Sequence, residues 1–509
     1  MQKKQTILVV ASLLVVVLSV TLAYFTAQII GKEKNVTINS ADLKIIFTDS
    51  DGSISGSNIE PGKWNVTKTF TIENKSNETY KYNIVIQDLI NTFVTNGYLQ
   101  YKITSTNGGY NMAEFKDVPK SETATDTILA YSASIDVGVT QSYTVEFIYK
   151  NDESVDQSED MGKILSGKLF ITEGTINIYA GYEKGTLGYQ IMGDNITRLT
   201  RTDFDTTFTE TNTGTLYKTT ESIAGNTPKD VYYFAGDAKN NWVKFGGFYW
   251  RIIRTNYDGS IRLLYSGTSH NTTAGYIGTS AFNSTYNDPM YVGYMYGTTG
   301  SLESNRLNTN DSTIKTYIDK WYNKNLSSYS KYISTEAVYC NDRTEQTAGT
   351  YSTSSTFYYA PYGRLFTNKI PTYNCTNIKD SFSGINSEAK LTYPIGLMTA
   401  DEIAYAGGKS GTSLARPYAW YYLNSAGGSI TGSTDWWSLS PNYWDGSTSL
   451  VWSVIGGSSP GNLNFNYGSR VSLSYGARPA ISLKSCIKYS TGNGTPETPY
   501  EIVETDTGC

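Results

Sequence analysis

The stretch that decides the fold runs Asp435-Trp436-Trp437-Ser438-Leu439-Ser440-Pro441, then Gly456-Gly457-Ser458, Asn464-Phe465-Asn466 and Gly476-Ala477-Arg478-Pro479. Tryptophan, asparagine and glycine alternate here with short apolar runs, while acidic residues and histidine are scarce. This composition favours a rigid, loop-rich recognition surface over a site that transfers protons. We therefore expect a chain that acts mainly by binding, and outside the cell.

The overall composition agrees with a secreted β-rich protein. The 509 residues carry a net charge of −5, and charged residues make up only 17%. A weakly acidic chain has no electrostatic footprint for nucleic acid, so no nucleic-acid partner is expected. The 43 tyrosines far outnumber the 17 phenylalanines, and tyrosine suits half-buried strands and wet binding surfaces because it joins an apolar ring to a polar tip.

The N-terminus predicts export. Lys3 and Lys4 precede an uncharged run from Ile7 to Phe25, which as a helix spans about 28 Å, close to the bilayer core of about 30 Å. Positive charges before the run place the rest of the chain outside the membrane. Residues 1–30 are either a signal peptide or a signal anchor, which contacts the membrane.

The chain has four cysteines, which allow three pairings. We favour Cys340–Cys375 and Cys486–Cys509 because each pair lies inside one sequence region. Zinc is the alternative, but the chain has no Cys-x-x-Cys and only one histidine. We expect disulfides in an oxidising compartment and no metal or cofactor.

Residues 31–175 predict an antiparallel β-sandwich. Polar and apolar residues alternate in Tyr80-Lys81-Tyr82-Asn83-Ile84 and in Tyr143-Thr144-Val145-Glu146-Phe147. Turn sequences such as Glu60-Pro61-Gly62 separate the runs. Asp49-Ser50-Asp51-Gly52-Ser53 faintly matches a calcium loop but lacks the terminal glutamate, so we interpret it as a hairpin turn.

The same region resembles the camelysin/TasA family of Gram-positive surface and biofilm-matrix proteins. The resemblance is carried by Ala23-Tyr24-Phe25-Thr26-Ala27, Leu43-Lys44-Ile45, Pro61-Gly62 and Phe70-Thr71-Ile72-Glu73-Asn74. It implies a jelly-roll-like domain and possible self-assembly into fibres or matrix. It does not imply a protease here, because the segment has no His-Glu-x-x-His metal site.

Residues 176–230 are polar and Thr-rich, which predicts a linker before a domain over residues 231–509. Within that domain Tyr257-Asp258-Gly259-Ser260 predicts a hairpin turn. A helix is expected after Asp311 or Ser312, with Ile314, Tyr317, Ile318, Trp321 and Tyr322 on one face. Thr399 and Glu402 predict a capping box for a second helix, which Gly407-Gly408 ends.

Residues 230–485 resemble the C-type-lectin-like superfold, in particular the formylglycine-generating-enzyme branch and related uncharacterised Gram-positive surface domains. The matching residues are the helix at 400–406, Trp436-Trp437, Ser440-Pro441, Gly456-Gly457-Ser458 and Gly476-Ala477-Arg478. The reactive cysteine pair of the enzyme branch is missing between Cys375 and Cys486. Ser440-Pro441-Asn442 lacks the carboxylate that calcium-dependent sugar binding uses.

The expected fold class is therefore mainly β with a few helices: an N-terminal transmembrane or signal helix, a jelly-roll-like β-sandwich and a C-type-lectin-like α+β domain. Trp437 and Trp452 are expected in the core, and Arg478 in a buried ion pair or on carbonyls. The only histidine, His270, is expected in an exposed loop. Asn442, Tyr443 and Trp444 are the first candidates for an exposed ligand surface, since they lie between a proline and Asp445-Gly446.

A second candidate set, Asn464, Asn466, Tyr467 and Arg470, precedes the final strand, where several lectin-like folds bind ligand. Aromatic faces stack on sugars or anchor protein partners, and amides supply paired donors and acceptors. The leading hypothesis is an exported adhesion or surface protein that binds a glycan or a protein and is not an enzyme. The alternatives are a structural matrix protein without a small ligand and a degenerate enzyme of the formylglycine-generating type.

Overall fold

The computed structural model describes residues 36–37, 43–47, 53–56, 59–173, 179–464 and 469–509. The expected leader and the calcium-like loop before Ser53 lie outside these residues. Within them, none of the helices has the length and apolar character needed to cross a membrane. The chain divides into two compact units, with the second running from Tyr179 to Cys509, and each unit is described by itself.

The first unit consists of antiparallel strands in two sheets. Its strands are β1 (Val36–Thr37), β2 (Leu43–Phe47), β3 (Ser53–Gly56), β4 (Asn65–Asn74), β5 (Tyr80–Asn91), β6 (Leu99–Ser105), β7 (Lys116–Asp117), β8 (Ser121–Ile135), β9 (Thr140–Tyr149) and β10 (Leu165–Glu173). One sheet has the order β1-β2-β4-β9-β6-β7 and the other β3-β10-β5-β8. A short 3-10 turn, Ser158–Asp160, precedes β10.

Alternation along the strands builds the core of the first unit. In β9 every second side chain is buried, so Tyr143, Val145 and Phe147 point inward. They share one apolar cluster with Ile84 of β5 and Leu169 of β10 from the other sheet. The two sheets therefore enclose a single hydrophobic core.

The second unit begins with helix α1 (Leu187–Asp194) and a large mixed sheet. The early strands are β11 (Thr197–Leu199), β12 (Thr211–Asn212), β13 (Thr215–Glu221), β14 (Lys229–Tyr233), β15 (Asp237–Ala238), β16 (Trp242–Phe245), β17 (Phe248–Thr255), β18 (Ile261–Tyr265), β19 (Thr279–Ser280), β20 (Met295–Tyr296) and β21 (Asn310–Asp311). Helices α2 (Leu302–Asn305) and α3 (Thr313–Asn325) follow, with 3-10 turns at Pro289–Val292 and Ser327–Tyr332.

The rest of the second unit combines short strands with three short helical segments. The strands are β22 (Tyr339–Cys340), β23 (Phe357–Tyr358), β24 (Ser381–Phe382), β25 (Gly396–Leu397), β26 (Trp436–Trp444), β27 (Ser449–Val454), β28 (Leu463–Asn464), β29 (Tyr475–Gly476), β30 (Pro479–Leu483), β31 (Tyr489–Thr491) and β32 (Tyr500–Ile502). Helix α4 (Ala360–Tyr362) continues into a π-helical turn, Gly363–Asn368, a 3-10 turn covers Ile378–Asp380, and α5 spans Ala400–Ala406.

Two sheets organise this unit. The larger one has the order β11-β13-β14-β17-β16-β32-β31, with β18, β30 and β25 joined through β17. The smaller one has the order β19-β29-β26-β27-β28, and β23 pairs with β26. Strands β18, β27 and β30 are buried along their whole length, including their polar residues such as Arg262 and Ser453.

The prediction of a linker over residues 176–230 is wrong for residues 179–230. Helix α1 packs Leu187 and Ile191 into the core of the second unit, and β13 pairs with β14 in the larger sheet. The buried residues of this Thr-rich segment include apolar side chains such as Leu216 and polar ones such as Thr186 and Glu221. Its strands depend on pairing partners elsewhere in the chain, which local composition does not reveal.

Predictions that rest on local chemistry are confirmed. Strands β17 and β18 form the hairpin around Asp258-Gly259. Ser312 caps α3 by accepting a hydrogen bond from the Lys315 N–H, and Thr399 with Glu402 forms the capping box of α5. The mainly β character with a few helices is confirmed as well.

Both predicted disulfides are present. Cys340 and Cys375 have Cα atoms 5.7 Å apart, and Cys486 and Cys509 have theirs 5.5 Å apart. Two disulfides indicate an oxidising compartment, because thiols stay reduced in the cytosol.

Candidate functional site

The first candidate set from the sequence is mostly interior. Asn442 is 0% exposed and Trp444 is 1% exposed, so the prediction that they face solvent is wrong. The reason is that β26 continues through Pro441 as far as Trp444, with register shifts in its pairing to β27 at Pro441 and again before Trp444. The turn at Asp445 starts only after the strand has buried these side chains. Tyr443 alone in this set is half-buried.

The second candidate set lies beside β27. Asn464 is half-buried at the end of β28 and pairs with Ser453. Arg470 is exposed, and its backbone forms a bridge with Leu450. Asn466 and Tyr467 lie outside the described residues, so this set remains a prediction.

The structure brings Tyr443 together with three aromatic residues from an earlier segment. We call Tyr358, Tyr362, Phe366 and Tyr443 the aromatic patch. The centre of the Tyr358 ring lies 4.3 Å from the centre of the Tyr362 ring and 5.5 Å from that of the Tyr443 ring. The rings of Tyr362 and Phe366 are 5.0 Å apart. Tyr358 is 38% exposed and Phe366 is 37% exposed, which is unusual for large rings in this unit.

Local structure explains why these rings meet. Strand β23 pairs with β26 in a register that places Tyr358 opposite Tyr443, and cross-strand neighbours lie close enough for their side chains to touch. Tyr362 and Phe366 are four residues apart on consecutive helical turns, so they share a face. The spacing of 358, 362 and 366 is visible in the sequence, but the partner strand is not.

Ion pairs of Arg364 hold the segment that carries three of the four rings. Its guanidinium donates to both carboxylate oxygens of Asp401 at 3.0 and 2.9 Å and to Asp342 Oδ2 at 2.7 Å. Burial alone would raise the pKa of Asp342, but Arg364 and the Thr344 hydrogen bonds hold it below its ordinary value. The same segment, residues 341–374, is closed by the Cys340–Cys375 disulfide.

A second group of charges lies next to Asp401. Glu402 Oε1 accepts from Arg254 Nε at 2.8 Å and from Arg262 Nη1 at 2.7 Å, and Arg254 also pairs with Glu221. The capping role predicted for Glu402 is confirmed, since it also accepts from the Thr399 N–H at 2.9 Å. The arginine partners of Asp401 and Glu402 were not foreseen, because they come from distant strands.

Carboxylates held this way do not suit acid–base chemistry. Burial would raise the pKa of Glu402, but Arg262 and Arg254 hold it below its ordinary value. Beside Glu402 and Asp401 is a cavity of about 20 Å³, also lined by Cys340 and Ser440. Such a volume holds about one water molecule and no substrate. The cluster therefore acts as an ionic support within the fold.

Other sequence predictions are settled by burial. Trp437 and Trp452 are core residues, as expected, with 0% exposure. Arg478 is buried and donates to the carbonyls of Tyr265, Gly275 and Tyr421, which confirms the carbonyl alternative. His270 is half-buried instead of exposed, because its Nδ1 lies 2.6 Å from Ser425 Oγ and its ring packs edge-on against Tyr249.

Comparisons with known proteins do not assign a family. No protein-family model matches the chain, and no curated protein does. A ruminal GH26 endo-beta-1,4-mannanase structure is similar over 30% of this chain and 34% of its own, at 13% identity and a TM-score of 0.15. The structure of AvmM, which catalyses macrocyclization in Alchivemycin A biosynthesis, is similar over 25% of this chain and 89% of its own, at 10% identity and a TM-score of 0.13. The chain thus spans about a third of the mannanase chain, and at these TM-scores neither structure bears on fold or function.

Proposed function

We propose that this chain is an exported surface protein that binds an extracellular glycan through the aromatic patch of its second unit. The apolar N-terminal run serves as signal peptide or membrane anchor. The first unit is a jelly-roll-like, camelysin/TasA-like stalk or assembly module, and the second unit is a C-type-lectin-like recognition domain. The two disulfides support the extracellular location.

The observation that carries the proposal is the exposure of clustered rings in a unit that buries all of its tryptophans except Trp321. Adjacent exposed rings form an apolar surface of the kind that often marks a binding site. Three of the rings carry a hydroxyl, and the exposed Gln346 side chain lies over Gly363, next to Tyr362. Rings with hydroxyls and an amide at their edge can stack on a sugar and hydrogen-bond its hydroxyls.

The size of the patch favours a glycan over a protein partner. Four such rings of about 200 Å² each, at most two-fifths exposed, offer at most about 300 Å². A stable protein interface needs about 800 Å² from each side. The rings are uncharged, and the ammonium of Lys369, 5.1 Å from the centre of the Phe366 ring, donates to the carbonyls of Leu365 and Phe366. A short stretch of neutral sugar fits this surface.

Binding of the full-length chain to immobilised polysaccharides tests the proposal. The panel holds neutral glucan, mannan, xylan and galactan, with heparin and hyaluronan as charged comparisons. We expect binding to at least one neutral polysaccharide, with at least a tenfold loss of affinity in Tyr358→Ala and in Tyr443→Ala. Tyr257→Ala is the matched control, since this half-buried tyrosine lies on the β17–β18 turn and packs on Lys229.

The alternatives predict other outcomes. Binding to no polysaccharide, but to a protein through the same tyrosines, would replace the glycan with a protein partner. No loss in either patch variant would refute the patch as the site. The enzyme alternative of the formylglycine-generating type has little support, because the four cysteines pair in disulfides and leave no thiol for redox chemistry.

A further inference from the structure

We propose that Arg364 is a positioning residue that holds the aromatic patch in its binding arrangement, together with the Cys340–Cys375 disulfide. This inference rests on the proposed function for its meaning, but its structural part can be tested without any ligand. Arg364 lies between Tyr362 and Phe366 on the π-helical turn. Its guanidinium donates to Asp342 and Asp401.

The geometry of the Arg364 contacts suits a fixed orientation. The pair with Asp401 is bidentate, with Nε to Oδ1 at 3.0 Å and Nη2 to Oδ2 at 2.9 Å, and such forks restrict direction as well as distance. The side chains of Arg364, Asp342 and Asp401 are 20%, 13% and 5% exposed. At that depth the ion pairs are only weakly screened by salt.

Asp401 connects the rings to the rigid part of the unit. It lies in the first turn of α5, whose residues are all buried. Its Oδ1 also accepts from the Thr372 N–H at 3.0 Å, near the end of the ring-bearing segment. Asp342 begins the same segment, so Arg364 links its start to α5, while Thr372 near its end bonds Asp401 directly. The disulfide closes the segment at the same place.

The ring-bearing segment is also held by backbone hydrogen bonds, such as Tyr359 N–H to the Asn442 carbonyl at 3.1 Å, and Arg364 adds a side-chain link from its π-helical turn to α5. Strand β23 is two residues long, and α4 with its π-helical turn is short. A segment that is loose before binding loses conformational freedom on binding, which weakens affinity. Arg364 therefore raises affinity without touching the ligand. Glu402, Arg254, Arg262 and Glu221 face the same cavity but pair among themselves.

The experiment compares Arg364→Met, Arg364→Lys and the control Lys315→Met in the full-length chain. Lys315 is a fully buried cation on α3 that pairs with Asp319 at 2.7 Å, so its removal tests the general effect of losing a buried charge. Amide hydrogen exchange is measured over residues 357–370 and over β17, β18 and β30. Binding is measured with the neutral polysaccharides used above.

We expect Arg364→Met to lower protection over 357–370 at least tenfold, to leave β17, β18 and β30 unchanged, and to weaken polysaccharide binding at least tenfold. Arg364→Lys is expected to keep part of the amide protection and part of the polysaccharide affinity, since lysine keeps the positive charge but cannot form the bidentate pair with Asp401. Unchanged protection over 357–370 in Arg364→Met would overturn the proposal, and so would a loss spread evenly over the unit, as in the control. Failure of the unaltered chain to bind polysaccharide would refute the glycan function alone, because the exchange result stands without it.

Discussion

The second unit contains two aromatic groups that meet along β26 but behave in opposite ways. One, the tryptophan core, comprises Trp436, Trp437, Trp444 and Trp452, each at most 1% exposed. The other is the aromatic patch, in which Tyr358 and Phe366 are more than a third exposed. Tyr443 and Trp444 are adjacent in sequence, yet they belong to different groups. Trp452 lies beneath Tyr362, with ring centroids 6.4 Å apart.

The difference shows that the richest aromatic stretch of a sequence need not be its binding surface. Indole rings bury the most area and are therefore the most valuable to the core. Buried arginines stack on them, with the Arg478 guanidinium 4.7 Å from the Trp436 ring and the Arg251 guanidinium 4.2 Å from the Trp242 ring. In the aromatic patch the exposed positions are held by tyrosine and phenylalanine, and tyrosine tolerates a wet edge, whereas other tyrosines of this unit, such as Tyr359, are fully buried.

The largest effect that separates the two groups is expected for Trp444→Ala. Removing a fully buried indole costs about 3–5 kcal/mol of unfolding free energy, because it leaves a cavity. Tyr443→Ala, its sequence neighbour, is expected to cost about 1 kcal/mol, since the ring is only half-buried. Thermal unfolding followed by circular dichroism measures both, and equal losses would show that the patch belongs to the core.

Removing a disulfide is expected to have the next largest effect on stability, and only the Cys340–Cys375 disulfide is expected to affect the aromatic patch. The chain-entropy relation assigns about 4 kcal/mol to Cys340–Cys375 and slightly less to Cys486–Cys509, given sequence separations of 35 and 23. Replacing either pair by alanine is therefore expected to lower stability similarly. Only Cys340→Ala with Cys375→Ala is expected to speed proteolysis within 341–374. Equal proteolysis in both double variants would contradict the view that this disulfide fixes the patch.

The sequence predicts those features that short stretches specify. Turn residues around Asp258, the caps of α3 and α5 and the cysteine pairs were all foreseen, since each depends on neighbours within a few residues or on simple pairing. The exposure of Trp444 and the linker over 179–230 were wrongly predicted, because burial depends on strand partners far along the chain. The patch was missed except for Tyr443, since Tyr358 reaches it only through the pairing of β23 with β26.

Lowering the pH is expected to have a smaller effect on stability, because it protonates Glu402 in the ionic cluster. The pKa of Glu402 is below its ordinary value in the folded chain, so Glu402 binds a proton more readily when unfolded. Its stabilisation is therefore complete above the ordinary carboxyl pKa and is lost as pH falls through the folded value. Glu402→Gln is expected to cost about 3 kcal/mol at neutral pH, because it leaves the buried Arg262 without a charged partner and Arg254 with Glu221 alone.

The measurement for Glu402 is a series of urea unfolding curves between pH 3 and pH 7. The unaltered chain is expected to lose stability steeply below about pH 4.5, near the ordinary glutamate value, and Glu402→Gln is expected to show a shallower loss. Parallel curves would mean that other carboxylates govern acid unfolding. Asp160 of the first unit is expected to contribute to acid unfolding as well. Hydrogen bonds from Thr95, Val94 and Tyr149 lower the pKa of Asp160, although burial acts to raise it.

The smallest effect on stability, and the sharpest on function, is expected for Tyr358→Phe and Tyr358→Leu. Tyr358 is partly exposed, so either change is expected to alter the unfolding free energy by less than about 0.5 kcal/mol, as is usual for surface substitutions. If sugar stacks on the ring, Tyr358→Phe keeps most of the polysaccharide affinity, whereas Tyr358→Leu, which keeps bulk without a flat face, loses it. Equal binding by both variants would show that apolar area alone is recognised, and the patch would then differ from the tryptophan core only in its exposure.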